Sequence, residues 1–206
     1  MKKGRKVKSK LPNGERSILH LAVSLCETLD QIGVLYCVIG GVAYQRWGEP
    51  RQTVDVDVTV FVGFGYEKSF MEKLLLRYDS RIESPLTFAL ENRILLLRDS
   101  SGTGIDVSLG GLPFERRVME RSSHWEVKKH GRIRTCGAED LVVLKAFASR
   151  PQDWIDIEKV IIRQDIVLDR DLIRTELAPL VALKEEPEIN KQLESLFQKH
   201  ELKGNP

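Results

Sequence analysis

Val38-Ile39-Gly40-Gly41, thirteen intervening residues (42–54), and then Asp55-Val56-Asp57-Val58-Thr59-Val60 decide the fold. The first run is apolar and ends in two glycines; the second is strongly β-prone and carries two acids. Side chains alternate between the faces of a strand. Asp55 and Asp57 therefore share one side, and Val54, Val56 and Val58 share the other. Two carboxylates side by side on a strand repel each other, so positive charge is expected against them. A divalent cation with oxygen ligands is the economical candidate.

Gly-Gly, a spacer and Asp-apolar-Asp-apolar resembles the signature of the nucleotidyltransferase superfamily with the DNA polymerase β palm fold. Arg51-Gln52-Thr53-Val54-Asp55-Val56-Asp57 and Glu139-Asp140-Leu141-Val142-Val143-Leu144-Lys145 resemble a smaller group within it. That group is the AbiEii-like and related minimal nucleotidyltransferases of bacteria and archaea, several of which are toxins of toxin–antitoxin pairs. The resemblance runs from about residue 17 to about residue 165.

The chain has 206 residues, enough for one domain with a helical extension and a substantial core. A hydrophobic content of 42% and a charged content of 30% describe an ordinary globular protein, and the net charge of +2 points to no class of partner by itself. Charge is concentrated at the start, where Lys2, Lys3, Arg5, Lys6, Lys8 and Lys10 put six positive groups in ten residues. Such an end reads as a solubilising tail or as an arm for RNA phosphates. The apolar run Ile18 to Leu25 is interrupted by His20 and has helical spacing, which argues against a signal peptide. No run approaches the length of a membrane-spanning helix. Cys26, Cys37 and Cys136 lack paired ligand spacing and read as buried, reduced thiols of a cytoplasmic protein.

In chain order, the periodicity predicts a helix capped by Ser17 and running to about Ile32, a strand over 35–39, a short helix over 42–47 and the acidic strand over 53–62. A Gly63-Phe64-Gly65 loop and a helix over 66–78 follow. Phe88 and Leu90 are expected in a small strand or turn. Strands over 93–98 and 105–109 form a hairpin about Asp99-Ser100-Ser101-Gly102. A second hairpin is expected around His130-Gly131, within the least readable stretch, 114–137. Helices over 138–149, 151–163, 169–183 and 187–202 complete the chain. The fold class is α+β, a mixed sheet with flanking helices and a helical C-terminal subdomain. Its expected divisions are a basic flexible tail (1–15), a palm domain (16–137) and the helical subdomain (138–206).

Nucleotidyl transfer needs an attacking oxygen, a leaving pyrophosphate and neutralisation of both. Two metal ions about 4 Å apart supply that with little covalent work by the protein. Asp55 and Asp57 are expected metal ligands. The third acid should lie on a neighbouring strand, as the family has it, and Asp106 in Ile105-Asp106-Val107 fits that place better than its rival Asp99 at the turn. Gly40 and Gly41 allow a phosphate chain to approach backbone N–H groups at a helix start. The superfamily often has Ser at the second of these positions, so Gly41 lacks one hydroxyl contact. Arg51 is expected either on phosphate or in a surface salt bridge, and Thr53 is placed to orient phosphate. The resemblance sets Lys145 near the triphosphate; the other reading of a lysine on this apolar helix is an ion-paired one. Arg150, Asp153 and Asp156 are expected to form a polar network tying the helical half to the palm.

The resemblance implies an enzyme that moves an NMP from an NTP, ATP among them, to a hydroxyl and releases pyrophosphate. Magnesium, or manganese in its place, is the implied cofactor. The implied acceptors are an RNA 3′ end, such as that of tRNA, a protein side chain or a small molecule, with the resemblance favouring a macromolecule, a cognate antitoxin as partner and no membrane. The alternative is a catalytically inactive nucleotidyltransferase-fold module that binds nucleotide as an antitoxin or regulator.

Overall fold

The structure is a computed structural model and describes residues 13–201. Its first half contains α1 (Asn13–Ile32), β1 (Leu35–Val38), α2 (Gly40–Trp47), β2 (Asp55–Phe61), α3 (Glu67–Leu75), β3 (Asp79–Ser80), α4 (Pro85–Asn92), β4 (Ile94–Arg98) and β5 (Gly104–Gly110). The second half contains α5 (Pro113–Arg121), β6 (Ser123–Val127), β7 (Gly131–Thr135), α6 (Ala138–Ala148), α7 (Pro151–Gln164), a 3₁₀ turn (Asp165–Val167), α8 (Arg170–Lys184) and α9 (Glu188–Lys199). The strands form one mixed sheet in the order β3-β4-β5-β2-β1-β7-β6. At its centre β2 runs antiparallel to β1 and parallel to β5, and β5 is antiparallel to β4, as the hairpin prediction has it.

The alternation in the two acidic strands divides the protein. Val56, Val58 and Val60 of β2 and Ile105, Val107 and Leu109 of β5 are buried in one apolar cluster with α1, α3 and α4. Asp55, Asp57, Asp106 and Ser108 face the other way. There, α5 to α9 gather a second cluster through Val118, Leu141, Ile157, Leu177 and Phe197. Hydrophobic content thus fixes both sides of the sheet, and the acids lie between the sheet and the helical half. The three cysteines are buried and unpaired. No described helix is long and apolar enough to cross a membrane.

Two expectations are corrected, and one unassigned stretch gains a helix. First, α1 begins at Asn13, so Ser17 is inside the helix rather than at its cap, and the last three residues of the segment 1–15 are helical. The basic residues from Lys2 to Lys10 lie outside the described residues. Second, Phe88 and Leu90 are in α4. Pro85 at the first helical position supplies a fixed φ that suits a helix start, and this outweighs the β preference of Thr87 and Phe88. Third, residues 113–121 form α5. Pro113 opens it, and the Glu115 carboxylate accepts hydrogen bonds from the backbone N–H groups of Gly111 and Leu112, both at 2.7 Å.

Helix α5 is also a clamp. Arg117 donates to Glu176 of α8 at 2.8 and 2.6 Å, and Arg121 reaches the same carboxylate at 2.9 Å. Arg121 also grips Asp140 of α6, with Nη2 at 2.5 Å. The hydrogen bond from Arg117 is the main reason the Glu176 carboxyl is held below its usual range. A depressed carboxyl contributes stability above its unfolded pKa, about 4.3, and loses it as pH falls further. Glu176→Gln is therefore expected to melt lower than the wild type at neutral pH but to lose less of its melting temperature between about pH 5 and pH 3. Thermal denaturation across that range checks it.

Candidate functional site

Asp57 on β2 lies beside Asp106 on β5 in parallel register, and Asp55 lies beside Gly104. All three acids face the same side. Together with Gly40, Gly41, Arg51, Thr53 and Lys145 they line one cleft of about 500 Å³, so every residue expected at the site borders the same space. Ile94, Ser108, Arg150 and Asp153, which carry no site pattern of their own, also line it.

The glycines fit their neighbours closely. Gly40 has φ +59°, and a Cβ there would lie 2.0 Å from Asp57 Oδ2. Only glycine meets both conditions without displacement. Gly41 is tight for another reason: a Cβ would lie 2.3 Å from Thr53 Oγ1. The Thr53 hydroxyl therefore fills the space that a serine at 41 would need. The Asp57 carboxylate lies against Gly40, and the Gly41 N–H lowers its pKa, so the start of α2 already faces an anion. Gly40→Ala is expected to displace Asp57 and to destabilise the protein by about 2 kcal/mol or more, from strained φ and overpacking together. Chemical denaturation measures this loss, and wild-type stability in the variant would contradict the packing described.

Among the described residues, Asp55 and Asp57 have no ion-pair partner, whereas Asp106 has one. Burial, followed by repulsion from Asp55 and Asp106, pushes the Asp57 carboxyl up to about 6. Burial also raises Asp106, against the pull of Arg81. Arg81, just after β3, makes an ion pair with Asp106 through Nη2. Gly104, with no side chain beside Asp55, leaves room for that guanidinium: a Cβ there would meet Arg81 Nη1 at 3.2 Å. Sequence reasoning missed Arg81, because a two-residue strand has no readable pattern.

Among the described residues, no group of three or more His, Cys, Asp or Glu side chains is gathered tightly enough to hold a metal ion. The donor set still fits a hard divalent ion. It is all carboxylate oxygen on one face of the sheet, with one member, Asp57, raised by burial and then by repulsion from the other two.

The opposite wall is a buried ion-pair network. Lys145 Nζ donates to Asp153 at 2.9 Å and to Asp156 at 2.7 Å, and Arg51 Nη2 meets Asp156 at 2.8 Å. Gln152 donates to Asp156 at 2.8 Å. Burial would raise the Asp156 carboxyl, but its hydrogen bonds from Arg51, Lys145 and Gln152 outweigh that and hold it low. Lys145 is thus the ion-paired lysine of the second reading, and Arg51 is in a salt bridge, though with a fully buried acid rather than a surface one. Arg150 does not supply the expected side-chain partner; its backbone N–H donates to Asp153 at 3.3 Å. The Tyr44 ring lies 5.3 Å from the Arg51 guanidinium and 5.7 Å from Lys145 Nζ, adding a cation–π face that spacing did not reveal.

Residues 108–195 match a family described as "Nucleotidyl transferase of unknown function (DUF2204)". That span runs from the end of β5 into α9 and begins after the acidic strand β2. No curated protein matches the sequence. Among solved structures, the chain is similar to an antigenic nucleotidyltransferase-like protein from Paracoccidioides brasiliensis, with 14% identity and a TM-score of 0.50, covering 89% of this chain and 95% of that one. It is also similar to the antibiotic-resistance factor ANT(2'')-Ia in solution, with 12% identity and a TM-score of 0.53, covering 86% and 98%. The same factor in complex with adenylyl-2''-tobramycin gives 12% identity and a TM-score of 0.52, covering 81% and 98%. At these identities the likeness is one of fold. The chain therefore shares its fold, a mixed sheet with flanking helices, with these nucleotidyltransferase-like proteins, and its residues 108–195 match the nucleotidyl transferase family model.

Proposed function

We propose that this protein is a metal-dependent nucleotidyltransferase that moves an NMP from an NTP to a hydroxyl acceptor. The observation that carries the proposal is the cleft. Its three carboxylates share one face, Asp55 and Asp57 make no ion pair among the described residues, and they lie beside the start of helix α2. Asp55, Asp57 and Asp106 would hold divalent ions, magnesium with manganese as substitute. When bound, such ions neutralise the attacking and leaving oxygens.

The protein's own groups do the rest. The N–H groups at Gly40 and Gly41 receive phosphate oxygens at the N-terminus of α2, the Thr53 hydroxyl orients them, and Arg51 and Lys145, each ion-paired with Asp156, hold the opposite wall in place. The acceptor oxygen bonds to the α-phosphorus as the bond to the bridging oxygen breaks, and pyrophosphate leaves. Asp106 takes the hydroxyl proton once Arg81 has moved to the departing phosphates. The resemblance of Arg51 to Asp57 and of Glu139 to Lys145 favours a macromolecular acceptor, an RNA 3′ end or a protein side chain. It also favours a place in a toxin–antitoxin pair, with a cognate antitoxin as partner.

Thermal shift with each NTP, ATP first, tests binding. Stabilisation that requires magnesium or manganese is expected in the wild type and is expected to be lost in Asp57→Asn. Equal stabilisation with and without metal in both proteins would contradict the proposal.

A further inference from the structure

A second space opens on the acidic face, separate in character from the cleft. It is a cavity of about 220 Å³ bounded by sheet, α5, α6 and α8. Its floor is the next rung of the strands that carry the acids. Thr59 follows Asp57 by two residues, Ser108 follows Asp106 by two, and the two are register partners. Two residues along a strand span about 6.6 Å. Ile39, Ser108 and Leu144 line both spaces, so the cavity continues from the cleft.

The walls are apolar. Phe114 and Val118 of α5, Leu144 and Phe147 of α6, and Leu180 of α8 supply most of them. The cavity grades from buried to open: Thr59 at the floor is 6% exposed, while Leu112 and Leu183 at the rim are 49% and 79% exposed. An exposed apolar rim leading to a largely apolar chamber, with Thr59, Ser108 and Glu115 as its polar groups, beside the acidic cleft has the shape of a subsite. An apolar cavity of about 150 Å³ holds benzene, so this one has room for a substituted ring.

We infer that the acceptor hydroxyl is carried on an apolar ring, a phenol such as a tyrosine side chain, with the ring in this cavity. The inference rests on the proposed transfer and names its acceptor. With the ring between α5 and α6, its hydroxyl reaches the rung of Asp57 and Asp106, and its far end leaves past Leu112 and Leu183. The phosphates lie on the other side of the acids, at Gly40 and Gly41. The ring oxygen then forms its bond to the α-phosphorus, pyrophosphate departs and the phenolic proton passes to Asp106. A ribose hydroxyl has no apolar body to fill the cavity, which is why the protein side chain is favoured over the RNA end.

Two readouts keep the parts separable. The first is binding of p-cresol, followed by ligand-observed NMR without nucleotide. Val118→Trp fills the chamber, and Leu183→Trp closes its mouth from an exposed position that the fold does not depend on. Affinity is expected to fall about tenfold or more in both variants and to persist in Asp57→Asn. The second is transfer from labelled NTP to N-acetyl-tyrosinamide, to a tyrosine peptide, to the same peptide with phenylalanine, and to an RNA oligonucleotide with a free 3′ end. Label is expected on the tyrosine compounds only. The peptide arm against the free amide tells a protein acceptor from a small phenol. Binding of p-cresol that neither tryptophan variant weakens would overturn the inference, as would label on RNA unchanged in both variants. Ring binding that behaves as expected, with no transfer to any acceptor, would leave the cavity assigned as a ring site and count against the transfer itself.

Discussion

Asp57→Asn is expected to abolish metal-dependent transfer, by about 10³-fold or more, while raising the melting temperature of the metal-free protein. The two effects have one cause. In the ligand-free fold Asp57 is in register beside Asp106, shares a face with Asp55 and is pushed up to about 6 by burial and by their repulsion. Near neutral pH the folded state therefore bears the cost of an ionised carboxylate with too little counter-charge. A shift of about two units corresponds to roughly 3 kcal/mol, of which asparagine should recover about 1–2 while keeping an oxygen for the Gly41 N–H. For a protein of this size that is a rise of about 3–6 °C. Divalent cation should reverse the order, stabilising the wild type and leaving the variant nearly unmoved. A purely structural Asp57 predicts the opposite pattern, with lower stability in the variant and no dependence on metal. Differential scanning calorimetry with and without magnesium separates the two.

Asp156→Ala should be the most damaging single change in the helical half. Asp156 is fully buried and accepts hydrogen bonds from Arg51, Lys145 and Gln152. Its loss leaves the Lys145 ammonium, itself 7% exposed, with Asp153 alone, and it releases Arg51 from the segment that leads into β2. Removing one partner of a buried pair costs about 3–5 kcal/mol, because the remaining charge stays buried. At this chain length that is about 10 °C of melting temperature. Asp171→Ala is the matched control. It also removes an aspartate salt bridge, but Asp171 is 91% exposed, and the effect should stay within about 0.5 kcal/mol. A similar loss in both variants would show that burial of the Asp156 network is not what matters.

Much of this arrangement was legible before any coordinates, and the reason is local. Alternation through Val54 to Val60 puts Asp55 and Asp57 on one face whatever the neighbouring strands do, and the flanking Ile105 and Val107 do the same for Asp106. The hairpin from Ile94 to Gly110 announces itself by an apolar run, a turn and a second run. What stayed hidden depends on contacts distant in sequence. Arg81 reaches Asp106 across 25 residues, and Arg51 reaches Asp156 across 105, and neither cation has a spacing that names its partner. Helix α5 was missed because its start depends on Glu115 bonding back to Gly111 and Leu112, a cap of backbone groups rather than a pattern of apolar residues. Gly41 reads as a missing hydroxyl in sequence, and only the fold shows Thr53 occupying that space.

The most direct test of the central claim is transfer of label from each α-³²P-NTP, with magnesium, into the RNA and protein fractions of a cell extract, beside Asp57→Asn. The account predicts label in one fraction, carried by tyrosine-bearing protein if the cavity is the acceptor site, and none with the variant. Label incorporated equally by Asp57→Asn, or by the wild type without divalent cation, would contradict it.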